Sequence, residues 1–195
     1  MLNELVEKVK AVILQPGKFF ERVRGEKDIW TSFKYVAILS LVSLVVGIIG
    51  YSMNFGSALS GIATYVPMLA SFSASIGIGS AIVSYIISLA MTFVSAGIIH
   101  IIAKLLNGKG NYTATYKAMA YSSTPSLLLG WVPWIGIIAY LYSLYLGIVG
   151  VSKLHSVSML RSILIVIALP LIIALVVGLL TAAYLSSAFM FMAAT

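Results

Sequence analysis

The sequence predicts an all-α, polytopic integral membrane protein that crosses the bilayer five times, with its N-terminus cytoplasmic and its C-terminus outside. Three observations carry that reading. Hydrophobic residues make up 61% of the 195 and charged residues only 9%, whereas a soluble domain carries about 25% charged residues. All five acids (Glu4, Glu7, Glu21, Glu26 and Asp28) lie in the first 28 residues. The Lys and Arg residues cluster between long uncharged stretches, the longest running from Tyr35 to Ala103.

Residues 1–30 form a segment of their own. Leu2, Leu5, Val6, Val9, Val12 and Ile13 recur at helical spacing, with Glu4, Glu7, Lys8 and Lys10 opposite. Asn3 is placed to cap this helix, and Gln15 before Pro16 ends it, because a residue before proline avoids the helical region. A second short turn from Pro16 offers Phe19, Phe20 and Val23. A charged, amphipathic start is not the pattern of a cleavable signal peptide. The apolar stripe suits a short interfacial helix lying among headgroups. A docking helix for a protein partner at the cytoplasmic face is the alternative.

Residues 31–195 read as a five-span membrane domain. A crossing helix needs about 20 apolar residues, which places spans at about 35–51, 80–103, 112–131, 133–151 and 163–184. Residues 54–79, rich in Gly and Ser and holding Pro67, read as a loop with a re-entrant or interfacial piece. Basic residues in short loops mark the cytoplasmic side. With five spans, the chain up to Lys34, the loop 104–117 and the loop 152–162 share that side and hold all twelve Lys and Arg. The net charge of +7 is then a membrane-face charge suited to anionic headgroups and needs no nucleic acid.

Span two carries a ridge of Ser80, Ser84, Ser88, Thr92 and Ala96, then His100. Small residues and hydroxyls at steps of four serve close helix packing in lipid or line a polar path. His100 reads as an interfacial histidine; with no acid nearby it makes a poor metal site, and no metal or cofactor is expected. The loop LLNGKGNYTATYK follows. A phosphate-binding loop would need Gly at position 103 and Ser or Thr at position 110, where Ala103 and Gly110 stand. A tight turn is what remains: Asn107, Gly108 and Gly110 supply positive φ around Lys109, and Asn111 or Thr113 caps the next helix. In YSSTPSLLLGWVPWIG, Pro125 frees a carbonyl about one turn earlier, near Tyr121. Ser122, Ser123 and Thr124 are placed to re-satisfy it. Gly130 and Pro133 make the outer turn, with Trp131 and Trp134 as interfacial anchors. The kink shapes either a tight hairpin or a small polar pocket.

The run HIIAKLLNGKGNYTATYKAMAYSSTPSLLLGWVPWIGIIAYLYSLYLGIVGVSKLHSVSMLRS resembles the core of the Yip family, the Ypt- or Rab-interacting membrane proteins. The shared features are a Gly-rich turn after a span (Gly108, Gly110), then an aromatic, small residues and a proline (Tyr121, Ser122, Ser123, Pro125), then a hairpin and a span ending in Gly150. VILQPGKFFERV resembles the proline-then-phenylalanine start of the short prokaryotic members. The likeness covers about residues 11–185. It implies five spans and a cytoplasmic N-terminus. Eukaryotic relatives act in vesicle traffic and associate with prenylated Rab GTPases and with each other.

Two function classes follow. One is a non-catalytic scaffold of the cell membrane that self-associates as a homo-oligomer and recruits a partner to its cytoplasmic face. The other is a small permease or channel with a path along span two and the Pro125 kink. Enzyme chemistry finds no footing: there is no cysteine, and no carboxylate beyond Asp28. The topology predicts that single cysteines at Lys109 and Ser156 react with an impermeant thiol reagent only after cells are opened, whereas cysteines at Ser60 and Thr195 react from outside. Labelling of the Lys109 site in intact cells would end the five-span reading.

Overall fold

The computed structural model describes residues 2–54, 78–132, 134–176, 178–179 and 181–182. Every regular element among them is helical. In chain order they are α1 (Leu2–Leu14), α2 (Pro16–Val23), α3 (Trp30–Asn54), α4 (Ile78–Leu105), α5 (Tyr112–Ser122), α6 (Thr124–Leu129), α7 (Ile135–His155) and α8, which opens at Met159–Ile163. α8 passes through a π-helical turn at Leu164–Ala168 and continues to Val176.

Four of these helices are long and apolar enough to cross a membrane: α3, α4, α7 and α8. The segment 112–131 is not one helix but two. α5 and α6 meet at Ser123 and run together antiparallel to α7. The cause lies at Pro125, which cannot donate to the Tyr121 carbonyl. The π turn of α8 has a related cause. Pro170 removes the donor to the Val166 carbonyl, and the Leu169 N–H reaches back five residues to the Leu164 carbonyl instead.

The core sits where α5 packs between α7, α4 and α3. α5 is short but buries Thr115, Tyr116, Ala118, Tyr121 and Ser122. The outer parts of α3, α4, α7 and α8 leave Val45, Ile86, Ile137 and Leu171 exposed, the surface a bilayer would cover. Burial is densest toward the basic end, at Ala96–Ala103 of α4 and Leu146–His155 of α7.

α1 and α2 belong to this core. Val12, Phe19, Phe20 and Val23 are buried, while Val6 and Leu14 stay exposed. The apolar stripe that suits a lipid surface is thus used in part against the protein. Phe20 lies on Gly150 of α7, where a Cβ would stand 2.9 Å from its Cζ. The Tyr142 hydroxyl donates to the Ile13 carbonyl at 2.6 Å, one of the groups a helix end leaves free. At the other end Arg24 donates to the Lys153 carbonyl and to Ser156 Oγ. Lys153 meets Glu21 at 2.6 Å and holds that carboxyl below its ordinary range.

Lys117 falls in α5, not in the preceding loop, and is 2% exposed. Its ammonium donates to the carbonyls of Val23 at 2.6 Å and Glu26 at 2.5 Å. A buried cation is costly unless it is hydrogen-bonded, and here it caps the chain leaving α2. Lys117→Met leaves the Glu26 carbonyl without this donor. An unsatisfied buried acceptor costs about 1–3 kcal/mol, and the part-buried Glu26 carbonyl falls at the lower end of that range. The variant is expected to melt earlier in detergent and to be cut faster by trypsin after Arg24; unchanged melting and cleavage would refute the clamp.

Candidate functional site

The residues singled out by the sequence fall into two clusters. The first surrounds Tyr121, which is fully buried. Its ring meets Phe19 of α2 edge-on at 4.9 Å and Tyr35 of α3 at 5.0 Å. Its hydroxyl donates to Glu26 Oε2 at 3.3 Å. The Tyr121 carbonyl freed by Pro125 accepts from Thr124 Oγ1 at 2.6 Å. That hydroxyl proton is committed, so the Tyr35 hydroxyl, 2.8 Å away, is the donor to Thr124 Oγ1. Ser122 and Ser123 bond elsewhere, to the carbonyls of Met119 and Ala120. Pro125 is buried. The Ser126 N–H is taken by Ser143 Oγ of α7 at 3.0 Å. The kink is therefore filled and satisfied by α2, α3 and α7.

The second cluster closes the basic end. α4 finishes at a left-handed residue, Asn107, with φ of 63°, and the Gly108 N–H reaches back to the Ala103 carbonyl at 2.7 Å. This is a Schellman-type end with Asn in the left-handed place. The turn thus differs from the reading in which Gly108 and Gly110 supply positive φ; among the described residues no glycine has it. Those glycines answer a spatial demand. A Cβ on Gly108 would lie 2.8 Å from the Ala103 carbonyl oxygen and 2.8 Å from His155 Nδ1. On Gly110 it would lie 2.9 Å from the Leu154 carbonyl oxygen. Lys109 is exposed between them, and its N–H donates to the His155 carbonyl. Asn111 caps α5 by accepting from the Ala114 N–H.

His100 is not alone. Thr115 Oγ1 lies 2.8 Å from His100 Nδ1 and 2.8 Å from His155 Nε2, and it approaches the Asn111 carbonyl at 3.4 Å. Thr115 has one proton to give, so at least one imidazole must donate to it. His155 is fully buried and its Nδ1 has no partner. A bare lone pair there costs less than an unpaired N–H, which favours the proton on Nε2, directed at Thr115. The trio joins α4, α5 and α7. Among the described residues no three His, Cys, Asp or Glu gather as a metal would require.

The ridge of span two divides. Thr92 Oγ1 lies 3.1 Å from the Tyr116 hydroxyl, and Ala96 is buried. Ser84 and Ser88 are exposed, and Ser88 Oγ donates to the Tyr85 carbonyl of its own helix. They do not meet Tyr121, Ser123 or Pro125. Ser80 lies in the first turn of α4, its side chain outside the described residues, as is Pro133. Trp131 and Trp134 are 42% and 82% exposed, and the left-handed φ of 65° at Trp134 turns the chain into α7.

Sequence reasoning missed Thr115 and His155, placed Lys117 in a loop, and read Gly150 only as the end of a span. Lys117 was visible as a cation inside an otherwise apolar helical stretch, and His155 as a second histidine at the far end of a hairpin. Their meeting depends on tertiary packing.

The pattern of Gly-rich turn, kinked hairpin and inserted N-terminal Phe residues extends over nearly the whole chain. A family model, the Yip1 domain, matches residues 10–182. The chain belongs to the Yip1 family. No curated protein and no solved structure matches it. It is accordingly a helical, multi-pass membrane protein of the Yip type.

Gly108→Ala sets a Cβ against a main-chain oxygen and a buried ring. Overpacking of this kind costs about 1–3 kcal/mol, whereas the exposed Lys109→Ala should stay within about 0.5 kcal/mol of the parent. Thermal unfolding of both variants in detergent checks this, and equal melting temperatures would show the turn to be slack.

Proposed function

We propose that this Yip1-family protein is a non-catalytic scaffold of the cell membrane that self-associates and presents its basic face for partner recruitment. The reading takes residues 1–30 as a cytoplasmic segment and 31–195 as the membrane domain. The broken pair α5–α6 makes the fifth crossing, the N-terminus lies inside and the C-terminus outside. The basic end, with Lys104, Lys109, Lys153 and Arg161, then meets anionic headgroups.

The observation that carries self-association is the face of α4 bearing Ser84 and Ser88. Small side chains there are exposed beside Ile87 and Met91, and Ser88 already satisfies its hydroxyl within the helix. In lipid, such surfaces let helices of two copies approach closely. The permease reading needs those hydroxyls to face the Pro125 kink, and the contacts of Thr92, Tyr121 and Thr124 are taken up by helix packing.

Labelled copies in liposomes should show energy transfer that falls on dilution with lipid. Ser84→Ala/Ser88→Ala should keep it, since interhelical hydrogen bonds average about 0.6 kcal/mol. Ser88→Leu should weaken it without lowering the melting temperature of the dilute protein. Transfer unaffected by Ser88→Leu would place self-association elsewhere. Solute flux abolished by the Ala pair at unchanged melting temperature would replace the scaffold with a channel.

A further inference from the structure

α1 and α2 meet at a break at Gln15, whose φ of -138° and ψ of 58° are not helical. The bend borders an open groove of about 410 Å³. Lys10, Lys18 and Arg22 line it against one carboxylate, Glu7, with Leu14 and Phe19 supplying apolar wall. The three cations are exposed. Neither Lys10 nor Lys18 has an ion-pair partner among the described residues. Arg22 is held over the Phe19 ring, its guanidinium carbon 5.7 Å from the centroid, and Phe19 is fixed in the core by Tyr121. One cation of the groove is thus positioned by the fold.

The Ile13 carbonyl sits at Tyr142, Phe20 at Gly150 and Arg24 at the Lys153 carbonyl. The chain from Ile13 to Arg24 therefore follows α7 toward its basic end, over about 16 Å at 1.5 Å per residue. Leu14, 74% exposed, lies at the apolar end of that path and Arg22 near the basic end. Three cations beside the exposed Leu14 match a molecule with a phosphate head and a hydrocarbon tail. A free phosphate would leave the apolar surface unused.

We infer that the α1–α2 groove is a binding site for the phosphate headgroup of an anionic membrane lipid, held by Lys10, Lys18 and Arg22 with its acyl chain passing Leu14. The phosphate accepts charge-assisted hydrogen bonds from the cations, and the net positive charge of the groove selects against zwitterionic headgroups. Glu7 opposes the ligand and limits its affinity. The inference rests on the reading that the basic end meets anionic headgroups, and assigns that preference to one place.

The test is native mass spectrometry of the full chain in neutral detergent, titrated with phosphatidylglycerol, phosphatidylcholine or glycerol phosphate. Wild type should retain phosphatidylglycerol at least tenfold better than phosphatidylcholine. Lys10→Gln/Lys18→Gln should lose that preference, Lys10→Arg/Lys18→Arg should keep it, and Glu7→Gln should strengthen retention about threefold. The charge-matched control Lys27→Gln/Lys34→Gln should behave as wild type. Melting temperatures in phosphatidylcholine should agree across the set. Should Lys10→Gln/Lys18→Gln melt early, Glu7→Gln and the Arg pair carry the test. A preference reduced equally by the groove and control pairs would overturn the groove while leaving the anionic-face reading intact. Absence of any preference in wild type would overturn both. Competition by glycerol phosphate at the concentration of the lipid would overturn the lipid as ligand.

Discussion

A buried cation holds this bundle to its N-terminal arm. Lys117 projects from the most enclosed helix and finds no carboxylate within ion-pair distance among the described residues; it finds two main-chain carbonyls. A backbone carbonyl in an apolar setting needs a donor, and a buried ammonium needs acceptors. Each solves the other's difficulty only if the arm lies where it does. Phe19 can then reach Tyr121, Phe20 can occupy the space beside Gly150, and Tyr142 can cap the end of α1. The same economy of main-chain acceptors recurs at Thr124, whose hydroxyl answers the carbonyl that Pro125 abandons. It recurs again at Tyr85 and Tyr112, whose hydroxyls donate to carbonyls of the neighbouring helices, Ala37 and Phe93.

Tyrosine is well matched to this task. Its ring fills core volume while its hydroxyl reaches an acceptor on another helix. The Tyr121 cluster combines both uses, because its ring is enclosed by Phe19 and Tyr35 and its hydroxyl turns toward Glu26. At the basic end the joint is polar instead. His100, Thr115 and His155 bring three helices to one hydroxyl, and the glycines on either side of Lys109 let the turn press against them.

Much of this was legible in the sequence. Uncharged stretches of the right length announced long apolar helices, and four of those described are long and apolar enough to cross a membrane. The break near Pro125 was readable, because proline's missing donor is a local fact. What local reasoning could not reach were meetings across the chain. The small residues at 108 and 110 suggested backbone freedom, yet their reason is the ring of His155, more than forty positions away. An apolar stripe on α1 and α2 is equally at home on lipid and on protein, so periodicity alone does not say which it covers. Ser84 and Ser88 share a ridge with Thr92, but the helix rotates them outward as it advances, and only Thr92 meets α5.

The placement of the arm also has a consequence for the order of assembly. Val23 is 94 residues from the lysine that secures it, and Glu21 is 132 from Lys153. At synthesis rates of about 5–20 residues per second, the first helices exist for about 5–20 seconds before α5 is made, and longer before α7. During that time Phe19 and Phe20 have no seat in the protein, and the bilayer surface is the apolar phase nearest to them. The piece made first is therefore placed last. An amphipathic stripe adequate for both surroundings lets a nascent chain wait at the membrane without aggregating, then exchange lipid for its own helices once the final hairpin closes.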